Sequence, residues 1–285
     1  PLRSAGHGTL SWDAVARLAA MAVFGDNSVT APRGPLEVDR GVALLIIDPQ
    51  QDFHAGGSLA IPGADADAAR VASFLEAHRD VIDTVCVTLD SHHAMHIANV
   101  TFWEDAAGVQ PKPFTAIAAD DVRSGKWRAR QPELRGEAFA YVKQLEACGS
   151  KFQLVAWPEH CLIGSPGHSV VEPLLSELQR WARSRRRSVT WVMKGVNTMT
   201  EMYSCFSAEV PRQDDKQTQL NTALIEHLAR HSRVVCCGQA KSHCVNHSVR
   251  DLVRAWPHAS REAVMVLSDA TSTVPGFEAH SADFE

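Results

Sequence analysis

Ionisable side chains stand directly after several apolar runs of the sequence. Asp48 and Lys194 each end such a run, and Cys244 follows another after a short turn. A buried lysine is costly unless a carboxylate pairs with it, so we expect Asp48 and Lys194 to pair. A thiol beside a carboxylate and an ammonium is a set that hydrolyses amides or esters through a thioester. A buried salt bridge and a structural cysteine would produce the same pattern.

Cys244 stands where an apolar run turns into a helical pattern. If the helix begins near Ser242, the thiol lies in its first turn, where the positive end of the helix favours the thiolate. The backbone N–H groups of Ala240 and Cys244 are then placed to hold an oxyanion. A buried structural cysteine accounts for this position equally well. Cys236 and Cys237 lie inside the apolar run itself, and we predict that they are strand core.

A second group of polar side chains lies in two short histidine-containing stretches. Asp90 and His92 are two residues apart, so both can point to the same side of an extended chain. With His160 they offer one carboxylate and two imidazoles, which suits Zn²⁺, Fe²⁺ or Mn²⁺. His93 and His96 are rivals for the same role. A single histidine is more often a surface residue than a ligand, but the set as a whole favours a metal.

Short apolar runs rich in β-branched residues alternate with amphipathic helical patterns along the chain. Their continuous hydrophobicity predicts strands that are buried on both faces of a parallel sheet. We therefore predict an α/β fold with three layers, α/β/α, and a mainly parallel, doubly wound sheet of about six strands. In such sheets, ligands bind beyond the carboxyl ends of the strands, where the ionisable residues stand. The runs are 41–48, 84–90, 152–158, 188–195, 233–240 and 263–270.

The domain organisation predicted from the sequence is simple. The length of 285 residues suits one large α/β domain, which we place at 41–285. Residues 1–40 are predicted to be a helical N-terminal extension. The least regular region is rich in Pro, Gly, Trp and charges, and we predict that it forms a lid-like insertion near 101–150.

Composition argues against several classes of protein. Hydrophobic residues make up 45% and charged residues 21%, as in ordinary globular proteins. The formal net charge of −5 gives no general attraction to nucleic acid or anionic membranes, and no apolar stretch is long enough to span a bilayer. The cysteine count is odd and the cysteines are scattered, which indicates a reducing, cytoplasmic setting. We expect a homo-oligomer that acts on a small molecule.

Five motifs, in order, resemble the isochorismatase-like cysteine hydrolase superfamily, and within it the nicotinamidase group. Together they lie within residues 41–270, which is most of the chain. One such motif would be a weak signal, whereas five in the same order are a strong one. The motifs are "DPQQDFHAGGSL" (48–59), "LDSHHAMH" (89–96), "WPEHCLIGSPG" (157–167), "MKGVN" (193–197) and "CGQAKSHCV" (237–245).

The resemblance implies a role for each matching residue. Asp48 is the general base, Lys194 its charge partner and Cys244 the nucleophile, and Asp52 helps to hold this triad through hydrogen bonds. The implied metal ligands are Asp90, His92 and His160. The implied substrate-flanking aromatic residues are Phe53 and Trp157, and a cis peptide bond is implied at Gln239–Ala240.

The implied activity is hydrolysis of the C–N bond of a small planar amide through a thioester, with nicotinamide giving nicotinate and ammonia. One divalent metal ion, Zn²⁺ first with Fe²⁺ or Mn²⁺ as alternatives, would orient the ring nitrogen of the substrate. Two alternatives stay open. The N-terminal extension and the long 101–150 segment suggest a different substrate, which would make the chain another small-amide or carbamoyl hydrolase. A catalytically silent binding or assembly relative is the other alternative, and the intact Asp–Lys–Cys set argues against it.

Overall fold

Ten strands lie within the residues that the computed structural model describes, which are 9–10, 39–148 and 153–282. Six of them form one parallel sheet, and the other four form two short antiparallel pairs. The strands are β1 (Thr9–Leu10), β2 (Asp39–Ile47), β3 (Ile82–Asp90), β4 (Trp103–Glu104), β5 (Thr115–Ile117), β6 (Arg128–Ala129), β7 (Leu154–Ala156), β8 (Thr190–Lys194), β9 (His231–Gly238) and β10 (Val264–Leu267). The order in the main sheet is β1-β10-β9-β2-β3-β8.

The described ranges also contain seven α-helices and a π-helical turn. The turn, Lys241–Val245, directly follows β9 and leads into the sixth helix. The helices are α1 (Ala64–Ala77), α2 (Ala119–Arg123), α3 (Arg135–Ala147), α4 (Leu174–Arg185), α5 (Thr222–Ala229), α6 (Asn246–Arg254) and α7 (Glu278–Ala282). None of the helices in these ranges has the length and apolar character that crossing a membrane requires.

The central strand β2 explains why the apolar runs are continuous. Leu44 and Ile46 point into a core shared with α1 and α4, whereas Leu45 and Ile47 point into a second core shared with α3, α5 and α6. Both faces of the strand are therefore covered, and neither face can carry polar residues. This arrangement confirms the predicted three-layer α/β/α fold with a mainly parallel sheet.

The register of the sheet brings the ionisable strand ends to one edge. Asp90 is paired with Lys194, and Ile47 is paired with Gly238. The chain runs from β2 outward to β3 and β8 and then returns through β9 and β10 on the other side, so the order switches between β2 and β9. Gly238 has φ 112°, and a Cβ there would collide with the carbonyl oxygen of Ile47. This close approach requires glycine and places the turn that carries Cys244 beside Asp48.

One predicted strand lies elsewhere. The apolar run 152–158 forms β7, which pairs antiparallel with β5 outside the main sheet. The prediction that this run joins the parallel sheet is wrong, and β1 is the sixth strand instead. A short apolar run shows that a strand will be buried, but it does not encode which partner the strand pairs with.

Most of the predicted helical extension, 1–40, lies outside the described residues. Where it is described, at Thr9–Leu10 and at the start of β2, the chain is extended rather than helical. The helical extension as a whole stays a prediction.

The 101–150 segment contains β4, β5 and β6 with the helices α2 and α3, and α3 packs Tyr141 and Leu145 into the core. Its role as a lid also stays a prediction.

Candidate active site

Lys194 connects the three side chains that were predicted to form the triad. Its Nζ lies 3.0 Å from Oδ2 of Asp48 and 3.5 Å from Sγ of Cys244. The same ammonium donates to Oδ1 of Asp90 at 2.9 Å and to the carbonyl of Met202 at 3.1 Å. Burial alone would lower the pKa of Lys194, but Asp48 and Asp90 raise it well above its usual value. A permanent positive charge therefore stands between the two carboxylates and the thiol.

Asp48 is held in a left-handed backbone conformation at the carboxyl end of β2, with φ 45°. Its N–H donates to Oγ1 of Thr88 at 3.0 Å, and the Thr88 hydroxyl donates to Oδ1 of Asp48 at 2.5 Å. Oδ2 is left facing Lys194, and the carboxylate also contacts the thiol of Cys244. Burial raises the pKa of Asp48, while Lys194 lowers it. The result is a carboxylate with increased proton affinity beside a thiol, which suits a general base.

Cys244 lies in the π-helical turn Lys241–Val245, and α6 begins only at Asn246. The expected α-helix near Ser242 is thus a π turn at the thiol, a local geometry often found at functional sites. Burial raises the pKa of Cys244 well above its usual value, and Lys194 opposes that shift. The expectation that this position favours the thiolate is therefore wrong for the resting site, because loss of solvation outweighs the nearby charge. The thiol needs a base.

The backbone before this turn has the geometry that the resemblance implies. The peptide bond Gln239–Ala240 is cis. The side-chain amide of Gln239 is held on both sides, because Nε2 donates to Asp67 at 2.8 Å and Oε1 accepts from the N–H of Ser272 at 3.2 Å.

Cys236 and Cys237 are buried in β9, and burial raises the pKa of Cys236 to about 12. Such thiols stay protonated, in agreement with their predicted place in the core.

Asp90, His92 and His160 form the second cluster. One possible ligand atom from each residue lies within 4.8 Å of the other two. Nε2 of His92 is 3.5 Å from Oδ1 of Asp90, and Nε2 of His160 is 3.3 Å from Oδ2. A parallel bridge between His92 and Leu162 ties the loop of His160 to the end of β3. Two stretches almost 70 residues apart in the chain are joined in this way.

The two imidazoles are oriented as metal ligands. Nδ1 of His92 faces the carbonyl of His160 at 3.3 Å, and Nδ1 of His160 faces the carbonyl of Pro158 at 2.8 Å. A carbonyl only accepts, so each Nδ1 carries a hydrogen and each Nε2 faces Asp90 as the possible metal ligand. Nε2 of His92 is buried and has no hydrogen-bond partner in the described part of the chain. A Cβ at Gly195 would lie 3.1 Å from both this nitrogen and Oδ1 of Asp90, so glycine keeps the space open.

The protonation states also suit a cation. Burial lowers the pKa of His92 to about 4, so this ring is neutral near pH 7. Burial alone would raise the pKa of Asp90, but His92 and Lys194 hold it well below its usual value. Burial alone would lower the pKa of His160, but its hydrogen bond to Asp90 raises it. One carboxylate and two imidazole nitrogens therefore form a donor set that fits a divalent ion.

The two rival histidines do not join this cluster. His93 is exposed to solvent. His96 is buried, and its ring centroid lies 4.5 Å from that of His92. Nδ1 of His96 accepts from the N–H of Ala98 at 3.2 Å, so its Nε2 carries the hydrogen and has no lone pair to offer. His96 therefore packs beside the cluster.

Three aromatic side chains lie near residues of the site. The ring of Phe53 lies 5.6 Å from that of His160, on the side of the metal cluster. The ring of Trp157 lies 5.2 Å from that of His243, the residue before the nucleophile. Phe114, from the 101–150 segment, is 50% exposed, and its ring lies 5.7 Å from Trp157. The two aromatic positions implied by the resemblance thus contact His160 and His243 respectively, and the segment adds a third ring beside Trp157.

Asp52 makes other contacts than those implied. Its carboxylate accepts from the N–H of Cys161 at 2.6 Å and from the N–H of Ser58 at 3.3 Å. Cys161 directly follows His160 and has φ 50°, so Asp52 stabilises the turn that presents this histidine. Asp52 therefore helps to position a residue of the metal cluster, and neither of these bonds involves a residue of the triad.

Two buried residues of the site were not found from the sequence. Thr88 holds Asp48, and Glu201 lies with Oε1 4.0 Å from Nε2 of His92. Burial raises the pKa of Glu201 to about 7. A signal for Glu201 was present, since it is a lone carboxylate among the apolar residues of "TMTEMYSCF". Thr88 gives no such signal, because threonine is common in strands.

Comparisons of sequence and of structure show which known proteins this chain is similar to. No protein-family profile matches the chain. The nicotinamidase of Escherichia coli (strain K12) is 25% identical to it over 214 residues, which cover 74% of this chain and 76% of that protein. The structure of Acinetobacter baumanii nicotinamidase pyrazinamidase matches with a TM-score of 0.56 at 19% identity and covers 86% of this chain and 91% of its own.

Two further solved structures give the same result. The yeast nicotinamidase matches with a TM-score of 0.55 at 19% identity over 84% of this chain and 97% of its own. The pyrazinamidase of Pyrococcus horikoshii in complex with zinc matches with a TM-score of 0.51 at 20% identity over 85% of this chain and 93% of its own. In sequence and in fold the chain is similar to nicotinamidases, which confirms the resemblance predicted from its motifs.

Proposed function

We propose that the chain is a cysteine-dependent amidohydrolase that converts nicotinamide to nicotinate and ammonia. The observation that carries the proposal is the position of Lys194, whose Nζ lies 3.0 Å from Asp48 and 3.5 Å from the sulfur of Cys244. A nucleophile, a base and a fixed positive charge are thus joined at the switch point of the sheet, where such folds bind ligands. Similarity to nicotinamidases in sequence and fold supports the choice of substrate.

Acylation begins with proton transfer from the thiol of Cys244 to Asp48. The sulfur attacks the amide carbon, a C–S bond forms, and the negative charge moves to the carbonyl oxygen, which the N–H groups of Ala240 and Cys244 stabilise. Asp48 then returns the proton to the amide nitrogen, the C–N bond breaks, and ammonia leaves. Lys194 stays protonated throughout and favours the ionised form of Asp48.

Deacylation uses the same groups, with water in place of the thiol as the nucleophile. Asp48 takes a proton from water, and the oxygen attacks the thioester carbon. The C–S bond breaks, the acid leaves, and the proton returns to the sulfur of Cys244. Asp90, His92 and His160 would hold a divalent ion, Zn²⁺ in our proposal with Fe²⁺ or Mn²⁺ as alternatives, and that ion would supply a Lewis acid for orienting the ring nitrogen of the substrate.

Another small-amide or carbamoyl hydrolase is the second candidate. The observation that favours it is Phe114, an exposed aromatic residue from the 101–150 segment beside Trp157. A side chain in this position changes the shape of the pocket at the side of the nucleophile. Substrate choice would then depend on the segment, while the chemistry at Cys244 stays the same.

Incubation of the purified protein with nicotinamide tests the proposal, with ammonia and nicotinate measured together. We expect equal amounts of the two products and none from the Cys244→Ala variant. Turnover of carbamoyl compounds or maleamate without turnover of nicotinamide would select the second candidate. No turnover of any small amide, and no protection of Cys244 from alkylation by these compounds, would indicate a catalytically silent binding relative.

The expected homo-oligomer and the cytoplasmic location stay predictions. Light scattering on the eluate of a sizing column gives the mass of the assembly in solution. A mass equal to that of one chain would contradict the homo-oligomer. Fractionation of the source cells locates the protein, and its recovery outside the cytoplasm would contradict the second prediction.

A further inference from the structure

Glu201 is a buried carboxylate that belongs neither to the triad nor to the predicted ligands. It is 3% exposed and lies in the segment that follows β8. Its Oε1 is 4.0 Å from Nε2 of His92. That nitrogen is itself buried and without a hydrogen-bond partner in the ranges described above. A carboxylate and an unpartnered imidazole nitrogen therefore face the same small space.

Two hydrogen bonds of Glu201, and a third at its neighbour Met202, fix this position. Its N–H donates to the hydroxyl of Tyr141 at 2.9 Å, and its Oε1 accepts from the N–H of Met202 at 2.9 Å. The carbonyl of Met202 accepts from Lys194 at 3.1 Å. Tyr141 belongs to α3, so a helix of the 101–150 segment fixes the backbone of Glu201. The position of this carboxylate is therefore built into the fold and is not a chance rotamer.

Acidic groups outnumber the ammonium in this part of the core. The carboxyl groups of Asp48, Asp90 and Glu201 are all at least 96% buried, and Lys194 bonds to the first two of them. Buried carboxyl groups are normally paired or coordinate a metal. A divalent ion beside Nε2 of His92 would give Glu201 such a partner.

We propose that Glu201 is a further residue of the cation site formed by Asp90, His92 and His160. Its carboxylate faces the unpartnered Nε2 of His92 and would contribute negative charge beside a bound divalent ion, and Tyr141 positions it. This inference rests on the metal site of the proposed function and extends it with a residue outside the three predicted ligands. It also gives the 101–150 segment a structural role in metal binding.

A measurement of Zn²⁺ affinity tests the inference independently of amidase activity. Competition between the protein and a chromogenic chelator gives the Zn²⁺ dissociation constant of the wild type and of Glu201→Gln. Glutamine keeps the shape and the acceptor for Met202 but removes the charge, so we expect affinity to fall about 10- to 100-fold. The matched control is Glu209→Gln, because the side chain of Glu209 pairs with His247 at 2.9 Å, which is not one of the predicted ligands. Its affinity should equal that of the wild type.

A second variant keeps the test decisive if Glu201→Gln does not fold. Tyr141→Phe leaves the charge in place and removes only the hydroxyl that fixes Glu201, so a smaller loss of affinity is expected. Unchanged zinc affinity in whichever variants fold would overturn the role of Glu201 and leave the amidase untouched. A wild type that binds no Zn²⁺ would also overturn it. A wild type that hydrolyses no amide but loses zinc affinity on Glu201→Gln would overturn the proposed activity and support this inference.

Discussion

Nζ of Lys194 lies 2.9 Å from Oδ1 of Asp90, so the charge partner of the triad is also bonded to the carboxylate of the metal cluster. The two clusters are therefore one electrostatic unit, in which Lys194 is shared by Asp48 and Asp90. Because all three side chains are buried, water screens these interactions little. We therefore expect a substitution at any one of them to change the electrostatic environment of the other two.

Removal of this shared charge should destabilise the fold. In Lys194→Met two buried carboxylates lose their partner, and we expect a loss of about 3–5 kcal/mol in the free energy of unfolding. Urea unfolding followed by circular dichroism measures it. Arg123→Ala, which removes an exposed ion pair with Asp120, is the control and should change stability little. Equal losses in the two variants would contradict the pairing described here.

The nucleophile prediction separates one cysteine from its neighbours. We expect Cys244→Ala to lower kcat for the amide by about 10⁴-fold or more, since no other group can form the thioester. Cys237→Ala should keep kcat within a few-fold of wild type, because its side chain lies in the core of β9. Ammonia release measures the rates, and far-UV circular dichroism checks the fold. Substantial turnover by Cys244→Ala would refute the assignment.

The fall of kcat/KM at low pH, the acid limb of the pH profile, should be governed by protonation of Asp48. Burial raises the pKa of this carboxyl above 3.8, and the hydrogen bond from Thr88 lowers it. Above that pKa Asp48 is ionised and can take the thiol proton, whereas below it the base is lost and kcat/KM falls. In Thr88→Val the lowering influence is gone, so the acid limb should move to higher pH by about one unit.

The control for this shift lies on the same strand. Thr84 is also in β3, but its hydroxyl contacts His231 at 2.9 Å, away from the site. Thr84→Val should leave the acid limb where it is in the wild type. An unmoved limb in Thr88→Val, or a shift to lower pH, would show that another group controls the limb.

Metal content should depend on His160 and not on His93. His160→Ala removes one of the three donors, and we expect at least a tenfold loss of metal affinity, so that most of the ion is lost on dialysis. His93→Ala changes an exposed imidazole outside the cluster and should retain the wild-type content. Elemental analysis of the dialysed proteins provides the measurement. Equal metal in His160→Ala and the wild type would rule out this ligand.

Substrate affinity should depend on Phe114. If its ring helps to line the pocket beside Trp157, Phe114→Ala should raise KM several-fold with kcat nearly unchanged, because uniform binding is lost. Val109→Ala, at a side chain of the same segment that is 59% exposed, is the control and should leave KM as it is. Steady-state kinetics with the best amide measures both constants. An unaltered KM in Phe114→Ala would exclude the ring from the pocket.

The strand ends were predictable because a parallel sheet has one carboxyl edge. Asp90 and Lys194 end their strands and Asp48 directly follows β2, and the register of the sheet brings these residues near one another. The run 152–158 was misplaced because its pattern gives burial but not a pairing partner. The protonation of Cys244 was also misjudged, since the depth at which the thiol is buried depends on loops whose paths no local pattern specifies.

The sequence by itself determined the α/β class, the groups that could do chemistry and the edge at which they meet. These follow from periodicity and from the cost of burying charge, both of which are local properties. The residue pattern left His93 and His96 as rivals of His160, and the tertiary structure brings His160 together with Asp90 and His92. The same holds for Glu201, which faces His92 because α3 fixes its backbone through Tyr141. Contacts of this kind join residues far apart in the chain, and packing alone selects them.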